Sequence, residues 1–119
     1  MAQVVRSYLL IEAATFIMAA AVHGGWLMSG YEHREARIAE SIIAGVLVSG
    51  AALTWIRPMT SRSIGLFAQS FALFWTLVGI VTIAVGIGPR TPLDIIYHVA
   101  IVAFLVRGLV VTRRVPVGA

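Results

Sequence analysis

The chain contains no cysteine. Disulfides, thiolate metal centres, iron–sulfur clusters and covalently attached c-type haem are therefore excluded. A bound metal would have to use imidazole, carboxylate, methionine or backbone oxygen. Lysine is missing too, so all nine basic residues are arginine. Charge of either sign is scarce, at 12% of residues, against about 25% in an average soluble domain. There is no Gly-rich phosphate loop and no Gly-x-Ser-x-Gly element, which leaves P-loop and serine-hydrolase chemistry without support.

What fills the chain is apolar. Hydrophobic residues make up 60% of the 119 positions, and the mean hydropathy is +0.95. These values place it in the membrane class before any motif is read. The net charge of +4 and the pI near 10.7 come from arginines at the ends of apolar runs, not from a basic patch. The expected partner is thus a lipid bilayer and not nucleic acid.

A hydrocarbon core of about 30 Å is crossed by about 20 helical residues. Four runs meet that length, at 7–28, 38–56, 64–87 and 93–111. Their short connections predict an all-α integral membrane protein: one domain over 1–119, an antiparallel up-down-up-down four-helix bundle. Ser29-Gly30-Tyr31 closes the first run, and Trp55-Ile56-Arg57-Pro58 closes the second. Gly86, Gly88 and Pro89 end the third. Thr91 is placed to cap the fourth, with Pro92 at its first helical position. Arg6 followed by an apolar run has the look of a secretory signal, but Glu12 within that run argues for a retained span.

Arg6, Arg57, Arg62, Arg107, Arg113 and Arg114 fall at one end of the expected bundle, and Arg34, Arg37 and Arg90 at the other. Six against three makes the first end cytoplasmic and puts both termini inside a cell membrane.

Two ionisable residues interrupt the first span. Glu12 and His23 are 11 positions apart, which at 100° per residue leaves them about 20° apart on one face. An ionisable group at membrane depth costs on the order of 2.5–3.5 kcal/mol. That face is therefore expected to meet other helices. Gln69 lies at a depth similar to Glu12 and is expected to hydrogen-bond to it. Arg107 is at that depth as well, but it points away from the His98 face and is expected to extend toward the interface. Glu12 is then protonated and a candidate proton carrier.

The other polar residues gather at the outer end. His23, Glu40 and His98 are the expected ligands of a divalent transition metal, with His33, Glu35, Asp94 and Arg90 around them as orienting or charge-balancing groups. His23 and His98 could instead be the axial pair of a b-type haem, in membrane redox chemistry, with Arg90 at a propionate. A third reading has no cofactor: the polar groups hold helices together in an accessory subunit of a larger membrane complex. A fourth is small proton-coupled transport using Glu12. Four spans with an acid in the first is similar in layout to the small multidrug exporters, although Tyr8-Leu-Leu-Ile-Glu12-Ala-Ala-Thr15 departs from that family's pattern. No sequence signature assigns an enzyme activity. Ser41, Gly45 and Ser49 form a four-residue stripe expected to pack helices closely, within the chain or in a homo-oligomer. Trp75, midway along the third span, is expected to be a buried packing group.

Overall fold

The computed structural model describes residues 1–118. It contains four helices: α1 (Ala2–His23), α2 (Arg34–Ile56), α3 (Ser61–Ala84) and α4 (Pro92–Arg114). A single 3-10 turn, Pro58–Thr60, joins α2 to α3. All four helices are long and apolar enough to cross a membrane.

The boundaries follow local chemistry, and they differ from the hydropathy limits. α1 stops at His23, five residues before the end of the apolar run, because Gly24 and Gly25 follow. Gly25 has φ +77°, a left-handed conformation that a side chain strains. The Trp26 N–H then closes the last turn on the Ala21 carbonyl at 3.0 Å. Trp26 itself lies in the loop, 79% exposed, and is off the polar stripe of α1. α2 begins at Arg34, one turn before its apolar run, because the His33 ring accepts a hydrogen bond from the Ala36 N–H at 3.2 Å and caps the helix. α4 begins with a full capping box. The Thr91 hydroxyl accepts from the Asp94 N–H, and the Asp94 carboxylate accepts from the Thr91 N–H at 3.0 Å.

The helix ends are tied pairwise. Arg6, near the start of α1, donates from Nε to the Thr54 hydroxyl and from Nη2 to the Thr54 carbonyl near the end of α2, both at 3.0 Å. Its guanidinium also lies 4.0 Å from the centre of the Trp55 ring. At the other end of α1, His23 meets Glu40 in α2 and Asp94 in α4. Arg62 donates to the Arg113 carbonyl at 3.2 Å, joining the start of α3 to the end of α4.

The interior is built from small and medium residues. Val5, Leu9, Ala13 and Phe16 of α1 pack with Ala44, Leu47 and Ala51 of α2, Ala68 and Ala72 of α3, and Leu105 of α4. Large apolar residues instead cover the outside: Ile17, Met18, Phe67, Phe74, Val81 and Ile96 are all more than half exposed. A continuous apolar exterior of this kind is foreign to water and natural in lipid. Trp75, expected inside, is 45% exposed.

Close approach is concentrated at glycine. A Cβ on Gly65 would lie 2.5 Å from Val5 Cγ1 and 2.9 Å from Thr112 Cγ2, both on stiff β-branched side chains. Ser41, Gly45 and Ser49, by contrast, all face outward, and a Cβ on Gly45 would meet nothing within 4 Å. That stripe is not an internal packing seam of this chain. Gly65→Ala is therefore expected to destabilise the protein by about 1–3 kcal/mol through overpacking. Gly45→Ala is expected to be neutral or slightly stabilising. Unfolding in detergent–denaturant titrations distinguishes them, and equal effects would contradict the packing described.

Candidate functional site

Two buried polar clusters lie along one face of α1, which also buries Val5, Leu9, Ala13, Phe16 and Ala19. The spacing of three and four residues explains the arrangement: whatever shares this stripe is turned into the bundle.

The outer cluster centres on His23, 4% exposed. Its Nδ1 lies 2.7 Å from Glu40 Oε2 and its Nε2 lies 2.9 Å from Asp94 Oδ1. Ionised carboxylates only accept, so satisfying both contacts requires a proton on each ring nitrogen. The triad then carries one positive and two negative charges. Asp94 Oδ2 is occupied by the N–H and hydroxyl of Thr91, so the capping box of α4 also aims this carboxylate at His23. Glu40, 6% exposed, lies on the wall of a cavity described below.

The inner cluster centres on Glu12, which is completely buried. Gln69 Nε2 donates to Glu12 Oε1 at 3.0 Å, and the Thr112 hydroxyl donates to Gln69 Oε1 at 2.9 Å. One chain of hydrogen bonds therefore links α1, α3 and α4. Gly108 gives this pair its room, since a Cβ there would collide with Glu12 and Gln69. Glu12 Oε2 has no hydrogen-bond partner. Among the described residues no cation pairs with it: Arg107 is exposed and donates instead to the Tyr8 hydroxyl at 3.1 Å. The Tyr97 hydroxyl is also buried without a partner. The Tyr97 ring meets Phe16 edge-on, with centroids 6.2 Å apart, at a level of α1 between Glu12 and His23.

The expected ligand trio His23, Glu40 and His98 is not gathered around one point. Glu40 contacts His23 directly, but His98 turns its Nδ1 to the Asp94 carbonyl at 2.7 Å. Among the described residues no group of three His, Asp or Glu side chains has a geometry that could hold a metal ion. Both ring nitrogens of His23 face carboxylates, Glu40 on one edge of the ring and Asp94 on the other. Asp94, expected to orient a histidine, contacts His23 Nε2 directly at 2.9 Å.

The remaining outer residues take local roles. His33 caps α2, and its Nε2 lies 3.3 Å from the Ile87 carbonyl. Glu35 is exposed, 3.7 Å from His33, and Arg90 lies exposed over Gly86. Sequence reasoning missed Thr112 and Tyr97. Thr112 could have been found, because it is 18 residues from Asp94 and so on the same helical face. Tyr97 reads as an ordinary apolar-run aromatic and carried no signal.

No protein-family model, no curated protein and no solved structure matches this chain.

The His23 geometry makes a specific demand. His23→Ala leaves Glu40 and Asp94 buried without their shared cation, and a loss of about 3–5 kcal/mol is expected. Adding Glu40→Gln to that variant should recover part of it. Thermal unfolding in detergent reads both, and elemental analysis of the same samples supplies the contrary outcome. A stoichiometric metal that disappears with His23→Ala would restore the metal centre and overturn the triad as described.

Proposed function

We propose that this protein is an antiparallel, up-down-up-down bundle in the cell membrane, with both termini cytoplasmic, that acts as a small proton-coupled transporter using Glu12. The observation carrying this reading is the unpartnered Oε2 of Glu12 in the middle of a bundle whose outside is apolar. Buried polar atoms in folded proteins are almost always satisfied, so one that is not calls for a reason. A carboxyl group that gains and loses a proton supplies one, because its hydrogen-bond needs differ between the two states.

The neighbouring groups are consistent with it. Among the described residues the only buried side-chain atoms lacking a hydrogen-bond partner are Glu12 Oε2 and the Tyr97 hydroxyl. Glu12 lies on the α1 stripe that ends at the His23 triad, and Tyr97 of α4 packs its ring against Phe16 of that stripe. The triad has room for one more proton before it is neutral, and Glu40 is its member on the cavity wall. Ionisable residues inside spans mark ion pathways, proton relays, voltage sensors or ligand counter-ions. The six arginines at the Glu12 end support the cytoplasmic assignment.

A second reading is favoured by a different observation. His23 is fully satisfied by its two carboxylates, as a purely structural clamp would be, and the role would then be that of a cofactor-free accessory subunit.

Proton flux separates the two. Purified protein in liposomes under an imposed potassium diffusion potential is expected to admit protons faster than protein-free liposomes. Glu12→Gln should lower the protein-dependent rate at least tenfold, and Glu12→Asp should retain part of it. A rate equal to that of empty liposomes, or one that Glu12→Gln leaves unchanged, removes the transport reading.

A further inference from the structure

A cavity of about 220 Å³ lies between α2, α3 and α4 beneath the α3–α4 loop. Phe16, Ile43, Trp75, Gly79, Tyr97 and His98 form much of its wall. It exceeds the ~150 Å³ engineered apolar cavity that stays dry and takes benzene, so a fused aromatic pair is within its size range. It also opens sideways: Glu35, Ala39, Ile43 and Trp75 are shared with a groove of about 370 Å³ on the outer surface between α2 and α3. That groove is lined almost wholly by apolar side chains. The exposure of Trp75 follows from its place at this opening.

Of the polar groups on the wall, His98 is the one that presents a free ring nitrogen beside Gly79. His98 Nδ1 is 2.7 Å from the Asp94 carbonyl, which can only accept. The proton is therefore on Nδ1, and in the neutral ring Nε2 is an acceptor. Nε2 makes no hydrogen bond among the described residues, and it sits beside Gly79, 3.6 Å from where a Cβ would be. The absence of a side chain at Gly79 keeps the space in front of this acceptor open.

We propose that this cavity is a binding site for a small lipid-dissolved aromatic alcohol, which enters between α2 and α3 and donates its hydroxyl proton to His98 Nε2. The aromatic walls select a flat apolar ring, the acceptor selects an O–H, and the lateral opening selects a compound that arrives through the bilayer. The site stands apart from the transport reading, because it requires occupancy and no proton movement.

The test uses the full chain in lipid nanodiscs, with radiolabelled 1-naphthol and naphthalene as probes and empty nanodiscs as the partition control. Saturable 1-naphthol binding is expected, tighter than that of naphthalene. His98→Phe should weaken 1-naphthol about fivefold to tenfold and leave naphthalene within about twofold of its original affinity. His98→Gln, which restores an acceptor, should recover part of the difference. Gly79→Leu should abolish saturable binding of both probes by filling the cavity. Should that variant fail to fold, Ala39→Leu on the α2 wall makes the same reading. Uptake no greater than in empty nanodiscs, or 1-naphthol binding unaffected by both the His98 and the cavity-filling substitutions, overturns the proposal.

Discussion

His23 meets a carboxyl group on each edge of its ring, and the two come from different helices, Glu40 from α2 and Asp94 from α4. An imidazole buried in lipid cannot leave either edge bare, so α2 and α4 must each present an acid to the end of α1. This two-sided requirement fixes three helices relative to one another at a single point. The loops are built around it. The double glycine after His23 stops α1 at that level. The capping box of α4 holds Asp94 by its second oxygen, leaving the first for His23. Rotating α1 by one residue, about 100°, would turn both His23 and Glu12 toward lipid at once. The two acids and the imidazole thus set the rotation of α1 more firmly than its apolar residues do, because apolar residues are accepted equally well on either side in a membrane.

The same reasoning explains the distribution of size. With lipid outside, large side chains gain nothing by moving inward, and association depends on close contact between backbones. Ala13, Ala44, Ala51, Ala68 and Ala72 are buried, together with Gly65 and Gly108, while the bulky aromatics Phe67 and Phe74 point out. The contacts are tightest where α3 presents Gly65, Ala68 and Ala72. Further along α3, past Trp75, no comparable run of alanines continues, and the cavity occupies that level. Packing and cavity are two ends of one helix with different side-chain sizes.

Much of this was legible in the sequence. Four spans, the shared face of Glu12 and His23, the Gln69 partner of Glu12 and the Thr91 cap all followed from length, helical period and depth. Which helices stand beside α1 did not follow, and that decided the outer site. Asp94 and His98 lie one turn apart on α4, and either could have met His23. The structure gives that place to Asp94, while His98 turns its Nδ1 to the Asp94 carbonyl. The small stripe Ser41, Gly45, Ser49 lies on the outside of the bundle, so of its two expected uses the one within the chain does not hold. Spacing identifies a face of α2, but only the buried positions Glu40, Ile43, Ala44 and Leu47 show which face the bundle uses. Trp75 misled because depth along a span says nothing about rotation around it.

Glu40 belongs to two structures at once. It is the α2 member of the His23 triad, and its side chain forms part of the cavity wall. A charge on Glu40 is a charge beside an apolar space, where the attraction between His23 and the carboxylate is weakly screened. A molecule that filled the space would change the surroundings of Glu40 on that wall and, through it, those of the triad. Linkage then works in both directions: a proton that alters the affinity of the cavity is itself bound more or less tightly when the cavity is filled, by the same factor. The coupling needs no moving helix and no path across the bundle. It needs only that one carboxylate be held by His23 on one side and border the cavity on the other, and the position of Glu40, in the second turn of α2, provides that.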